Sequence, residues 1–206
     1  MTPRQEQDAP ASNWNLPNGL TLLRILLVPL FAWLLLSKGG DDTAWRIAAF
    51  ACFLGAITTD RLDGEIARRR GLVTDFGKIA DPIADKALTG MAFVGLSILG
   101  ELPWWVTLVV LGRELGVTAI RFVVIRYGVI AARRGGKLKT VLQAIALCGY
   151  ILPFTSYGHW AAEAMHYAAV GVMGLAVIVT VVTGVEYAVQ ALRLWRGGHG
   201  TAEHDG

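Results

Sequence analysis

Residues Leu20 to Ser37 read LTLLRILLVPLFAWLLLS, an apolar run interrupted by a single charge, Arg24. A helix needs about 20 consecutive apolar residues to cross the hydrocarbon layer of a bilayer, so this stretch is a candidate span. The segment before it, MTPRQEQDAPASNWNLPNG, is long and polar, and Gly39-Gly40-Asp41-Asp42 is no small-residue cleavage site. The run therefore reads as a retained span rather than a signal peptide.

Five more windows of the same kind follow, near Trp45–Thr59, Ile79–Leu99, Pro103–Ile125, Val141–Phe154 and Ala168–Ala191. Of the 206 residues, 54% are hydrophobic and 17% charged, a balance too apolar for a soluble core. The expected fold is an all-α integral membrane protein with six transmembrane helices. Residues 1–13 and 197–206 are polar and predicted to be disordered tails, leaving a membrane domain over residues 14–196. Cys52 and Cys148 fall inside predicted spans, where a thiol acts as a small apolar side chain.

Six crossings would put both tails and the loops near 68–78 and 126–140 on one side. That side carries Arg4, Arg68, Arg69, Arg70, Lys78, Arg126, Arg133, Arg134, Lys137, Lys139, Arg193 and Arg196, whereas the other has only Lys38 and Arg46. Basic residues concentrate in cytoplasmic loops, so both termini are expected in the cytoplasm. Attraction to anionic headgroups accounts for much of this charge without a further role.

Ionisable groups at membrane depth are costly and mark function, which directs attention to Asp60, Asp63, Asp81 and Asp85. The first pair ends the second span and the other pair begins the third, so all four share one depth. At 100° per residue, Asp60, Asp63, Gly64 and Ala67 fall within an arc of about 100°, and Asp81 and Asp85 stand one turn apart. Helices joined by a short loop are antiparallel neighbours, and these faces can line one cleft. Four crowded carboxylates would repel and protonate unless cations sat among them. An all-oxygen set suits Mg²⁺ or Mn²⁺ rather than zinc. Gly64 and Ala67 leave the acidic face bare for a flat ligand, and Arg68 beside it can fork onto phosphate oxygens. Structural ion pairs with Arg61, Arg68, Lys78 and Lys86 are one alternative; a cation-transport path is another, although it predicts acids spread across the bilayer.

The run Asp60-Arg-Leu-Asp63-Gly64-Glu-Ile-Ala67-Arg68, followed at fixed spacing by Gly77, Asp81 and Asp85, resembles the signature of the CDP-alcohol phosphatidyltransferase family. Chance agreement at all of these positions in a chain this long is roughly 10⁻⁸. The resemblance implies a homodimeric bacterial membrane enzyme with its active site facing the cytoplasm. Asp60, Asp63, Asp81 and Asp85 would hold two divalent cations, Mg²⁺ or Mn²⁺, and Asp85 would also be the general base. Gly64, Ala67 and Gly77 would leave room for cytidine. Asn18-Gly-Leu-Thr21-Leu-Leu-Arg24 resembles the first-helix motif of bacterial members, which would bring Pro17, Asn18 and Thr21 near the nucleotide or the metals; a helix cap is the plainer role for Asn18. Arg24, one turn further in, would pair with an acid or meet a phosphate.

The acceptor must be read elsewhere. Arg113 and Arg121 stand about 80° apart on the fourth span, and the following loop supplies Lys137 and Lys139 before Gln143. Basic residues beside a two-cation site suit an acceptor carrying its own phosphate. The Arg113-Glu114 and Gly136–Gln143 segments are similar to the family's phosphatidylglycerophosphate synthase branch, which implies transfer from CDP-diacylglycerol to sn-glycerol 3-phosphate. The implied partners are those substrates, membrane lipids and a second copy of the chain, with no nucleic acid. In the plainer reading Glu114 neutralises Arg121, and the lysines are positive-inside charges. Phosphatidylinositol-phosphate synthase and cardiolipin synthase are rivals within the family, and a non-enzymatic divalent-cation carrier is the rival outside it.

Overall fold

The computed structural model describes residues 16–70, 75–124, 134–153 and 159–200. Among them the chain forms six helices and one 3₁₀ turn: α1 (Leu16–Leu36), the turn Ser37–Gly40, α2 (Thr43–Arg70), α3 (Asp75–Ile98), α4 (Trp104–Val124), α5 (Arg134–Ile151) and α6 (His159–Gly200). No strand occurs among the described residues.

The first reversal shows how local sequence ends one helix and starts the next. Lys38, Gly39 and Gly40 adopt φ of 56°, 69° and 80°, left-handed values that two glycines meet without a Cβ penalty. Asp42 then starts α2. Its Oδ1 accepts hydrogen bonds from the amides of Ala44 (2.9 Å) and Trp45 (3.3 Å), two of the donors that a helix start leaves unmet.

α1 packs on α2 and α3, and α6 packs on α4 and α5. The core that joins them is apolar: Phe31 and Leu35 of α1, Phe53 of α2, Leu88, Phe93 and Leu96 of α3, Val110 of α4, and Leu147 and Ile151 of α5 are buried. Small residues let backbones approach where there is no water to drive helices together. A Cβ on Gly95 would lie 2.7 Å from Leu35 Cδ2, and one on Gly149 would lie 2.8 Å from the Ala169 Cβ.

The outer surface inverts the pattern of a soluble protein. Leu26, Leu54, Ile83, Leu108, Leu115, Ile145 and Ile178 are large, apolar and exposed. Among the described residues two stretches, Leu22–Gly40 and Trp160–Leu194, are long and apolar enough to cross a membrane; Thr43–Thr59 and Lys86–Ile98 are shorter apolar segments.

As the helical placement of Asp60, Asp63, Gly64 and Ala67 requires, α2 runs on to Arg70. Helix limits differ from those expected at two places. α5 starts at Arg134, which places Lys137, Lys139 and Thr140 on the helix rather than in a loop, and Gln143 in its third turn. α6 begins at His159, inside the loop expected near 155–166, and reaches Gly200, four residues into the expected tail. An apolar window detects only the lipid-matched part of a helix. At about 1.5 Å per residue, α6 is about 63 Å long, roughly twice the hydrocarbon thickness, so its ends carry polar sequence.

Candidate active site

Both acid-bearing segments are helical throughout: Asp60, Asp63, Gly64, Ala67 and Arg68 ride on α2, and Gly77, Asp81 and Asp85 on α3. Helical periodicity therefore applies at every position of the acidic set, and only residues 71–74 separate the two helices. The side chains of these residues, and of Asn18, Thr21 and Arg121, lie outside the described ones. On α1, Arg24 is buried at 3% exposure, so the guanidinium expected at membrane depth is turned into the protein.

Lys86 follows Asp85 on α3. Lys86 donates to Thr118 Oγ1 on α4 at 2.5 Å. Together with Thr89 and Gly90 it lines a cavity of about 260 Å³ whose other walls include Glu114 of α4 and Thr140 and Gln143 of α5. The helix that carries Asp85 thus shares a cavity with the segments read as the acceptor region.

Behind that cavity lies a buried polar layer. Glu114 Oε1 is 3.5 Å from Arg113 Nη1 and forms an ion pair with Lys139 Nζ. Lys139 is only 5% exposed. Arg113 Nη2 donates to Thr183 Oγ1 at 3.1 Å, and the buried Gln143 donates through Nε2 to Thr180 Oγ1 at 3.0 Å. Both threonines donate in turn to carbonyls of their own helix, Thr180 to Ala176 (2.6 Å) and Thr183 to Val179 (2.7 Å). Buried charge is tolerable here because each group has a polar partner.

Of the predicted acceptor residues, the structure brings together Arg113 and Lys139 through Glu114. Lys137 is exposed, on a different face of α5. Glu114 meets Arg113 and Lys139, contacts beyond the one with Arg121 considered from sequence. Lys139 is a buried ion-pair partner rather than a surface topology charge. Sequence reasoning missed Thr180, Thr183 and Gly184. The available signal was T-V-V-T-G, polar residues spaced three apart inside an otherwise apolar helix.

All-carboxylate donors on α2 and α3 fit hard, oxygen-seeking divalent cations. Among the described residues no rival group of three or more His, Cys, Asp or Glu could hold a metal ion.

A family model for CDP-alcohol phosphatidyltransferases matches residues 14–182, a range that includes both acid-bearing segments and the polar layer up to Thr180. The chain belongs to the CDP-alcohol phosphatidyltransferase family.

This phosphatidyltransferase is 52% identical over 179 residues to a Mycobacterium tuberculosis protein named "Probable phosphatidylglycerophosphate synthase", covering 87% of this chain and 82% of that one. It is 37% identical over 194 residues to the Bacillus subtilis CDP-diacylglycerol–glycerol-3-phosphate 3-phosphatidyltransferase, covering 84% and 93% respectively. An Arabidopsis thaliana protein with the same activity in its name is 36% identical over 148 residues, covering 64% of this chain and 62% of that one. As a member of this family the chain is an enzyme, and its eight spaced residues fall in the matched region.

Proposed function

We propose that the chain transfers the phosphatidyl group of CDP-diacylglycerol to sn-glycerol 3-phosphate, releasing CMP and forming phosphatidylglycerophosphate. The observation that carries this reading is the shared cavity: α3 bears Asp81 and Asp85, and the next residue, Lys86, lines one space with Glu114 and Gln143 of the buried polar layer. The names of the relatives agree with this choice of donor and acceptor.

In the reaction, a hydroxyl oxygen of the acceptor attacks the phosphorus attached to diacylglycerol. The new P–O bond forms as the bond to the CMP phosphate oxygen breaks, and CMP leaves with that electron pair. Asp85 takes the hydroxyl proton as attack proceeds. Asp60, Asp63, Asp81 and Asp85 would hold two Mg²⁺ or Mn²⁺ ions, which neutralise diphosphate charge and polarise the leaving oxygen when bound. Gly64, Ala67 and Gly77 leave space for cytidine, Asn18 and Thr21 approach the nucleotide from α1, and Arg68 meets its phosphates. Arg113, Arg121, Lys137 and Lys139 supply the positive field for the acceptor phosphate.

The donor's acyl chains are assigned to an apolar cavity beside α2. A cavity of about 550 Å³ between α2 and α5 is lined by Leu54, Ile57, Thr58, Val141, Ala144, Ile145 and Cys148. It starts less than one turn before Asp60, so a diacylglycerol seated there would present its phosphate at the acidic set. All six helices are read as spanning a bacterial cell membrane, with both termini and the acidic set on the cytoplasmic side and a second copy of the chain as partner. The one-sided distribution of Arg and Lys supports that orientation.

The test is CMP release by purified protein in detergent with CDP-diacylglycerol, Mg²⁺ or Mn²⁺, and a panel of acceptors. Release with glycerol 3-phosphate, lost on chelation and restored by either ion, is the expected result. Release with inositol phosphate alone would move the chain to another branch, and no release with any acceptor would refute the enzymatic reading.

A further inference from the structure

We infer that Thr183 and Gly184 of α6 are positioning residues that seat Arg113 and thereby set affinity for the acceptor phosphate without touching it. The inference rests on the reading of Arg113 as an acceptor-phosphate ligand.

α6 is apolar along most of its length, yet Thr180, Thr183 and Gly184 stand at i, i+3 and i+4 and therefore share one face. That face is turned toward α4 and α5. Thr183 directs its hydroxyl proton at carbonyls of its own helix, Val179 at 2.7 Å and Thr180 at 3.2 Å, which leaves an oxygen lone pair for Arg113 Nη2 at 3.1 Å. The hydroxyl is thus an oriented acceptor, with little freedom to turn away.

Gly184 supplies the second half of the seat. A Cβ there would lie 2.9 Å from Arg113 Cγ and 3.4 Å from its Nε. The aliphatic stem of the arginine runs across bare helix backbone. Cγ is near the root of the side chain, so a methyl group at position 184 cannot be accommodated by a small swing of the guanidinium; the stem itself must move. Arg113 is only 15% exposed, which limits where it can go.

Displacing that stem changes more than one contact. Arg113 Nη1 is 3.5 Å from Glu114 Oε1, the oxygen that also meets Lys139. One turn back on α6, Thr180 accepts the Gln143 Nε2 hydrogen bond at 3.0 Å. One face of α6 therefore registers polar side chains from both α4 and α5. A guanidinium recognises phosphate through a planar fork, whose value depends on orientation, and a shift on the order of 1 Å in a positioning group can cost about 10²-fold in rate.

The experiment uses the full chain in detergent with Mg²⁺ or Mn²⁺, measuring kcat and KM for glycerol 3-phosphate and for CDP-diacylglycerol together with the thermal midpoint. Gly184→Ala and Thr183→Val are each expected to raise the glycerol 3-phosphate KM by about tenfold, with the CDP-diacylglycerol KM changed less than about twofold. Thr183→Ser, which keeps the hydroxyl, should restore the acceptor KM. In an Arg113→Ala background, Gly184→Ala should add nothing, because the stem it displaces is gone.

If Arg113→Ala raises the acceptor KM while Gly184→Ala and Thr183→Val leave it unchanged, the seat is refuted and the acceptor reading stands. Equal increases in both KM values with a lowered thermal midpoint would likewise overturn it, since that is the mark of general loosening. An Arg113→Ala enzyme with an unchanged acceptor KM refutes the acceptor reading, and the inference falls with it.

Discussion

Arg46 of α2 and Glu101, in the connection between α3 and α4, form an ion pair of 2.7 Å, and the same Arg46 Nη2 donates to the Tyr150 carbonyl at the end of α5, also at 2.7 Å. One buried guanidinium therefore ties three segments at the end of the bundle away from the acidic residues. Arg46 precedes Asp60 by 14 positions on one helix, about 21 Å. Arg46→Ala leaves a carboxylate and a carbonyl without their donor, and should lower stability by about 2–4 kcal/mol in detergent unfolding. The KM values should hold, because the proposed substrate site is at the other end. An unchanged unfolding midpoint would show that the pair contributes nothing.

Glu114 and Lys139 lie 25 residues apart in sequence and meet in the interior. Removing Glu114 takes away the carboxylate that faces both Lys139 and Arg113, whereas removing Lys139 leaves Glu114 its contact with Arg113, so Glu114→Ala should destabilise by about 2–4 kcal/mol and Lys139→Ala by less. The double variant should cost less than the sum, with a coupling of about 1–3 kcal/mol. Additive losses in the unfolding experiment would mean that the two charges do not depend on each other.

Asp85→Asn keeps the size and helix position of the residue while removing its basicity. Binding of CDP-diacylglycerol should be largely retained, and kcat should fall by about 10²–10⁴-fold. Isothermal titration with the donor and a CMP-release assay separate the two effects. A variant with full turnover would exclude Asp85 as the base.

Gly149 marks a close crossing of α5 and α6, since a Cβ there would lie 2.8 Å from the Ala169 Cβ and 3.6 Å from its Cα. Both obstacles are rigid. Gly149→Ala should destabilise by about 1–3 kcal/mol, and Ala169→Gly in the same chain should recover most of the loss. Failure of the second change to rescue the first, in matched thermal unfolding, would place the strain elsewhere.

Much of the helical order was legible in the amino-acid chain. Leu20–Ser37 became most of α1, and Pro103–Ile125 lies within one residue of α4 at each end. The helical placement of the acidic positions was legible too, because charges in apolar surroundings stand out one by one and their spacing is periodic. The misread limits share a cause. Hydropathy responds to lipid contact, and the first turns of α5 are helical for another reason: Lys139 and Gln143, one turn apart, are drawn inward by Glu114 and Thr180.

By itself the sequence determined the class of protein, the family and the eight spaced residues, since each depends on local periodicity or on residue identity at fixed spacing. Tertiary structure decided the partners of the buried charges. From the sequence, Lys139 is one of many positive-inside residues and Gly184 is one glycine among 24. Only the packing of α4, α5 and α6 puts Lys139 against Glu114 and the stem of Arg113 over Gly184. Those contacts are short-ranged and join residues 25 to 71 positions apart, a relationship that no pattern along one helix carries.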